Sequence, residues 1–227
     1  MPSYRLNCSA EKWAVNLPVS IKDALLVDID KINQQLRDAS AVDIVAWALS
    51  QGKKTIATTS FGKNAAVMLN VISQVDQTVP TVWVDTGYNL RDTYVVADKL
   101  IKRIPLDYHI YSPLMTSERR NAVMGGIPTM DDEEMHTEFT RQVKLEPFNR
   151  AINEWAPEIW ITGIRQQETE HRKSLDVLSW DARGILKVAP LFYWSDKQVE
   201  EYMKDNELLS CRYYFDPTKV QDGRECG

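Results

Sequence analysis

The chain is poor in the residues that build metal centres and covalent frameworks. It has three cysteines, Cys8, Cys211 and Cys226, and three histidines, His109, His136 and His171. No CxxC or Cys-Cys pair occurs, and the histidines have no metal-ligand spacing. A disulfide framework, an all-cysteine zinc site and a four-cysteine iron–sulfur cluster are therefore excluded for a single chain, and a reducing cytoplasm is the expected compartment. Long apolar runs are also missing. The longest, Ile44 to Leu49 and Ala65 to Leu69, are far too short to span a bilayer, and the opening MPSYRLNCSAEKW lacks the basic start and apolar stretch of a signal peptide. An excess of basic charge is absent as well. Lys+Arg is 27 and Asp+Glu 32, a formal charge of −5, which argues against bulk nucleic-acid binding while leaving room for a local basic patch.

What is present is an ordinary globular composition, with 44% hydrophobic and 26% charged residues over 227 positions. That is enough to bury a core, and with no repeat, linker or low-complexity segment the expectation is one domain over residues 1–227. Ile21 to Ile32 reads as an amphipathic helix capped by Ser20, within an N-terminal arm over residues 1–40. Ser40 with Asp43 opens a second helix through Leu49. Thr55 to Ser60 is short and β-branched, Ala65 to Val75 is a buried helix, Pro80 to Asp85 a strand, Leu90 to Ile104 a helix and Leu106 to Tyr111 a strand. This β-α-β-α-β alternation predicts an α/β fold with a doubly wound, mainly parallel sheet. Met124 to Thr137 reads as a surface loop, and Thr140 to Trp155 as a helix broken or kinked at Pro147. Glu158 to Gly163 is a further strand, residues 165–183 a polar stretch, and Ile185 to Phe192 strand-like. Ser195 caps a helix to about Asn206, and residues 208–227 form an irregular, mobile tail.

Three loops at expected strand ends and one tail residue could carry chemistry. Ser60-Phe61-Gly62-Lys63-Asn64-Ala65 joins a strand to a helix. Ligands of open parallel sheets sit at such carboxyl ends, where helix N–H groups and dipole attract phosphate or sulfate. The same string also fits an ordinary strand–helix turn. Asp85-Thr86-Gly87 ends the next strand, where Asp85 fits ribose or adenine contact and equally a helix N-cap. Arg165 and Arg172, with Lys144, have the chemistry for bidentate or point-charge recognition of phosphate or sulfate. Cys226 lies two residues from Arg224. Spacing alone leaves it either an inert terminal thiol or an exposed nucleophile.

Taken together these strings resemble the phosphoadenylyl-sulfate (PAPS) reductases of assimilatory sulfate reduction. The carriers are Thr59-Ser60-Phe61-Gly62 with Ala65 to Leu69, then Val84 to Tyr88 with Thr93-Tyr94. Lys144 to Arg150 and Thr162 to Arg165 follow, with Arg172 and Leu175. Leu186 to Pro190 and Arg224 to Gly227 complete the set. The resemblance implies a Rossmann-like, adenine-nucleotide α-hydrolase-like fold, with a modified P-loop at Ser60 to Ala65 and a nucleotide pocket lined by Asp85, Thr86 and Gly87. It implies that Lys144, Arg165, Arg172 and Arg224 neutralise the ligand. Cys226 would attack the sulfonyl sulfur, release adenosine 3′,5′-bisphosphate and form an S-sulfonate that thioredoxin or glutaredoxin resolves to sulfite. No bound cofactor or iron–sulfur cluster is implied, and a homodimer is. The family signature continues Leu-His past Glu-Cys-Gly, the segment before this tail is shortened, and Arg165-Gln166-Gln167-Glu168-Thr169 has one cation fewer than the usual Arg-Arg-Glu-Gln-Ser. Two other classes share the fold: ATP α-hydrolase-type activating enzymes, whose loops read Ser-Gly-Gly-x-Asp-Ser, and non-catalytic nucleotide-binding paralogues such as DNA sulfur-modification components.

Overall fold

The computed structural model describes residues 29–129, 131–211 and 213–219. The expected helix from Ser20 enters this range at Ile29–Leu36 (α1); its earlier residues, with Cys8, Arg224 and Cys226, lie outside the described residues. Ser40 caps Ala41–Ser50 (α2) by accepting the Asp43 N–H at 3.1 Å.

Strands Thr55–Thr59 (β1), Pro80–Val84 (β2) and Asp107–Tyr111 (β3) alternate with helices Ala65–Val75 (α3) and Arg91–Arg103 (α4). Helices Ser117–Met124 (α5) and Glu133–Thr140 (α6) follow, then a π-helical turn, Arg141–Leu145, and helix Glu146–Trp155 (α7). Strands Ile159–Ile161 (β4), Leu178–Trp180 (β5) and Leu186–Val188 (β6) precede helix Asp196–Asp205 (α8). The six strands form one sheet in the order β3-β2-β1-β4-β6-β5, parallel except for the β5–β6 pair. Because β2 and β4 flank β1 on opposite sides, the chain reverses its direction of winding there. The two crossovers diverge and leave a crevice at the carboxyl ends of β1 and β4.

Alternate residues of each strand enter two cores. Ala57, Trp83, Ile159, Ile161 and Val188 join α1–α4 and α8, while Ile56, Val82 and Trp160 pack with α7 around Phe148, Ala151 and Ile152. Burial on both faces keeps the inner strands β2 and β4 largely apolar, whereas β1 is rich in threonine and edge strand β3 exposes Asp107 and Ile110.

Three expectations need correction. Met124 to Thr137 is not a continuous surface loop. Asp132 caps α6 by accepting the Met135 N–H at 2.9 Å, and Glu133 and Glu134 occupy its first turn. An acidic run that looks like solvated loop is here the charge that favours a helix N-terminus. Pro147 does not break a helix. The helical path runs unbroken from α6 through the π turn into α7, with Leu145 and Glu146 in right-handed helical conformation, and the irregularity is the π turn that ends two residues before Pro147. The polar stretch 165–183 contains edge strand β5, and the expected strand Ile185 to Phe192 shrinks to Leu186–Val188. Pro190 cannot donate to a ladder, and Phe192 N–H turns back to Ala189 O at 3.0 Å.

Candidate nucleotide-binding site

A cleft of about 680 Å3 opens at the switch point. Thr58, Thr59 and Ser60 from the end of β1, Thr162 and Gly163 after β4, and Val82, Val84 and Thr86 from β2 and its loop line it. Gly62, Lys63, Asn64 and Ala65 continue the wall into α3. Asn64 occupies the N-cap of α3 but makes no side-chain cap hydrogen bond; Ala65 and Val67 N–H are donated to Gly62 O at 3.0 Å and Asn64 O at 3.2 Å, and the positive dipole end of the helix lies at the cleft. A glycine turn leading into a helix start has the chemistry to take an anion.

Phe61 departs from its sequence-based assignment to the substrate. Its ring is fully buried, 4.8 Å from the Trp83 ring centroid and 6.1 Å from that of Tyr108, and it is not part of the cleft lining. Its backbone is left-handed, with φ of 49°, a conformation that costs a residue with a Cβ about 1–2 kcal/mol. The turn is held by three contacts: the buried ring, the Phe61 N–H donated to Thr59 Oγ1 at 3.1 Å, and the Cys211 thiol donated to Phe61 O at 2.9 Å. Burial pushes the Cys211 pKa up, in keeping with a structural thiol. Phe61→Ala is expected to lower stability by about 3–4 kcal/mol through loss of this anchor, a fall of about 10 °C in Tm. Thermal unfolding followed by circular dichroism tests it; a Tm within 2–3 °C of wild type would refute the anchoring role.

The next loop divides its labour. Thr86 faces the cleft with Asn89. Asp85 instead shapes the loop: its Oδ1 accepts from Gly87 N–H at 3.0 Å, Asn89 Nδ2 at 3.0 Å and Tyr94 OH at 2.8 Å. Gly87 provides the positive φ of 77° that the turn requires, and a Cβ there would lie 3.4 Å from Ser117 Cβ.

The two loop arginines also part company. Arg172 lines the cleft, paired with Glu168, a second lining residue. Arg165 is 4% exposed and faces α8. Its guanidinium donates to Asp196 Oδ1 at 2.8 Å and Trp194 O at 3.2 Å, so it ties the loop to the next helix and is not part of the cleft lining.

Lys144 stands in the π turn and reaches the cleft, where it donates to Asp216 Oδ2 at 2.5 Å and Thr218 Oγ1 at 3.0 Å. Burial opposes the ionised form of Asp216, but the Lys144 ammonium and Thr218 outweigh it and hold the carboxyl below its ordinary range. Among the described lining residues, Lys63, Lys144, Arg172 and Lys219 therefore face Glu168 and Asp216. A chain of net charge −5 thus concentrates positive charge at this one cleft.

Two parts of the wall escaped sequence reasoning. One is aromatic: Trp160 and Phe148, with ring centroids 5.1 Å apart, line the cleft beside Val82 and Val84, and Trp160 Nε1 donates to Thr58 Oγ1 at 2.8 Å. The other is the segment Tyr214 to Lys219, read from sequence as irregular tail. Tyr214 would lie 3.6 Å from a Cβ built on Gly62, and Ser210 Oγ donates to Lys63 O at 2.8 Å. Fully buried His136 shares a 3.2 Å hydrogen bond with Pro217 O. Asp-Pro-Thr was the available signal, since Asp216 Oδ1 folds its own turn by accepting from Thr218 N–H at 3.0 Å.

Among the described residues, no group of three or more His, Cys, Asp or Glu is placed to hold a metal ion, and no helix is long and apolar enough to cross a membrane.

The comparisons with known proteins converge on this geometry. The chain is 33% identical over 186 residues to a Synechococcus protein named phosphoadenosine 5′-phosphosulfate reductase, covering 82% of this chain and 80% of that one. A protein of the same name from Alteromonas mediterranea is 34% identical over 203 residues, covering 89% and 79%. A crystal structure of PAPS reductase from Candida auris in a phosphate complex superposes with a TM-score of 0.71 and 25% identity, over 86% of this chain and 91% of that one. FMN adenylyltransferase from Candida glabrata shares the fold alone, with a TM-score of 0.55 and 12% identity over 89% of this chain and 64% of that one. Residues 54–217 match the family described as the phosphoadenosine phosphosulfate reductase domain, and they span the sheet, the loop after β1 and the cleft segment as far as Pro217; the chain belongs to that family.

Proposed function

We propose that this chain reduces 3′-phosphoadenylyl sulfate to sulfite and adenosine 3′,5′-bisphosphate in sulfate assimilation. The observation that carries the reading is the cleft at the β1/β4 switch point. An anion cradle at the start of α3, a cationic flank and an apolar aromatic wall meet there, as a nucleotide bearing a phosphosulfate requires. The adenine lies against Trp160, Phe148 and Val84. The phosphosulfate lies on Ser60, Gly62, Lys63, Asn64 and Ala65, with Lys144 and Arg172 offsetting its charge.

Chemistry falls to Cys226, with Arg224 favouring its thiolate. The thiolate attacks the sulfonyl sulfur, the S–O bond breaks, and the phosphate oxygen leaves with the electron pair. The products are Cys226 S-sulfonate and adenosine 3′,5′-bisphosphate. A thiolate of thioredoxin or glutaredoxin then attacks Cys226 Sγ. Sulfite departs with the S–S electron pair, and the reductant's second thiol resolves the mixed disulfide, so its dithiol supplies both electrons. Lys219 lines the cleft, and Cys226 follows it by 226 − 219 = 7 residues, an extended reach of up to about 25 Å, so the chain is long enough for the sulfur to return to the cleft. The reading includes one reductase domain over residues 1–227, no resident cofactor, a homodimer and a cytoplasmic location.

Intact-protein mass spectrometry of the reduced chain mixed with PAPS tests it. The expected result is a mass gain of one sulfonate group that maps to Cys226 and is lost on adding thioredoxin. No adduct at Cys226, with PAPS or with adenylyl sulfate, would overturn the reading.

A further inference from the structure

A carboxylate in a cleft built for a polyanion demands an explanation. Asp216 lines the same space as Lys63, Arg172 and the start of α3, where any bound phosphate or sulfate would repel it. Its bonds nevertheless hold it ionised in that place. Oδ2 takes the Lys144 ammonium at 2.5 Å, and Oδ1 takes the Thr218 N–H at 3.0 Å and hydroxyl at 2.6 Å. The neighbouring residues are equally fixed. Pro217 and Thr218 are buried, Pro217 O is bonded to His136, and the Tyr214 ring covers Gly62 of the anion cradle. The stretch Tyr214 to Thr218 is thus a strap seated across the cleft, pinned at both ends and riveted in the middle by one ion pair. Cys226 follows Asp216 by 226 − 216 = 10 residues.

We propose that Asp216 is a positioning residue: its ion pair with Lys144 seats this strap, and through it fixes the point at Lys219 from which Cys226 is tethered. Lys144 thereby links the two halves of the reaction, because the cation that offsets the substrate's charge also holds the base of the nucleophile's tether. The charge of Asp216 opposes nucleotide binding and serves delivery of the thiolate. The inference rests on the proposed attack by Cys226 on PAPS.

The opposition of those two effects makes the test specific. In Asp216→Asn the ion pair loses its charge while the acceptor for Thr218 is kept. S-sulfonate formation at Cys226, followed by rapid-quench mass spectrometry in single turnover, is expected to slow at least tenfold. Adenosine 3′,5′-bisphosphate, measured by calorimetry, is expected to bind as tightly as to wild type or several-fold more tightly. Asp216→Glu should recover at least a third of the lost rate. Thr218→Val, which removes the second contact to Lys144 with little change of shape, should slow sulfonation about threefold and provides the test if Asp216→Asn does not fold. Sulfonation at the wild-type rate in Asp216→Asn would overturn the proposal. So would a loss of nucleotide affinity in step with the rate, which is what mere damage to the cleft wall produces. If wild type itself forms no adduct, the assignment of Cys226 fails and this inference with it; an adduct in wild type with an unchanged variant removes only the role of Asp216.

Discussion

Cys226→Ser is expected to lower PAPS reduction by at least a thousandfold and to leave adenosine 3′,5′-bisphosphate binding within about twofold of wild type. The size follows from chemistry. A thiol with a pKa near 8.5 supplies a few per cent of thiolate at neutral pH, and nearby positive charge supplies more. A serine hydroxyl has essentially no alkoxide at that pH, and no histidine is among the described residues that line the cleft with Ser60 and Thr58. Binding should survive because the cradle, the cations and the aromatic wall come from residues 58–219. Steady-state sulfite release and calorimetry together decide it. Turnover within tenfold of wild type would mean that another group attacks the sulfur. Binding lost together with turnover would mean that the tail is part of the nucleotide pocket.

The second large effect concerns the Arg172–Glu168 pair. Both residues line the cleft, and Glu168 also lies 3.5 Å from Arg165 Nε. Arg172→Ala removes a cation and at the same time leaves a carboxylate of the cleft wall less compensated. The charge of the pair itself thus changes from neutral to negative beside a polyanionic ligand. The expected loss of adenosine 3′,5′-bisphosphate affinity is about a hundredfold at low salt, shrinking as ionic strength rises. In the double variant with Glu168→Gln the repulsion is gone and only the missing attraction remains. Affinity should recover about tenfold. A double variant no better than Arg172→Ala would show that Glu168 does not face the bound nucleotide. A single variant within threefold of wild type would show the same of Arg172.

The arginine pair illustrates where sequence reasoning runs out. Arg165 and Arg172 lie in one polar stretch and carry the same group, and both fit phosphate recognition. Only packing separates them: Asp196 at the start of α8 takes one, and the cleft takes the other with Glu168 attached. Asp85 and Thr86 are separated in the same way, one spent on its own turn and the other facing the ligand space.

Local signals were enough for the alternation from β1 to β3, because short runs rich in β-branched, aromatic and apolar residues, bounded by turn residues, alternate there with amphipathic or buried helices that fill the crossovers. They were enough to put the loop Ser60 to Ala65 at a strand's carboxyl end, because strand end, glycine and helix start are adjacent in sequence. They were also enough to choose among function classes, since motifs in order along one chain do not depend on how it folds. Contacts between distant segments were not legible. Phe61 reads as part of a ligand loop, but the core formed by Trp83 and Tyr108 claims its ring. The acidic run at residues 131–134 reads as loop, but α6 uses it as a helix start and brings His136 to Pro217. The tail segment reads as irregular, yet Lys144, 72 residues away, makes its Asp216 part of the cleft. The sequence by itself therefore determined the β-α-β-α-β half of the sheet, the strand–helix loop after β1 and the family. The tertiary structure decided which charges line the cleft, because a charged side chain takes its role from whichever partner the fold brings within a few ångströms of it, and sequence distance carries no record of that.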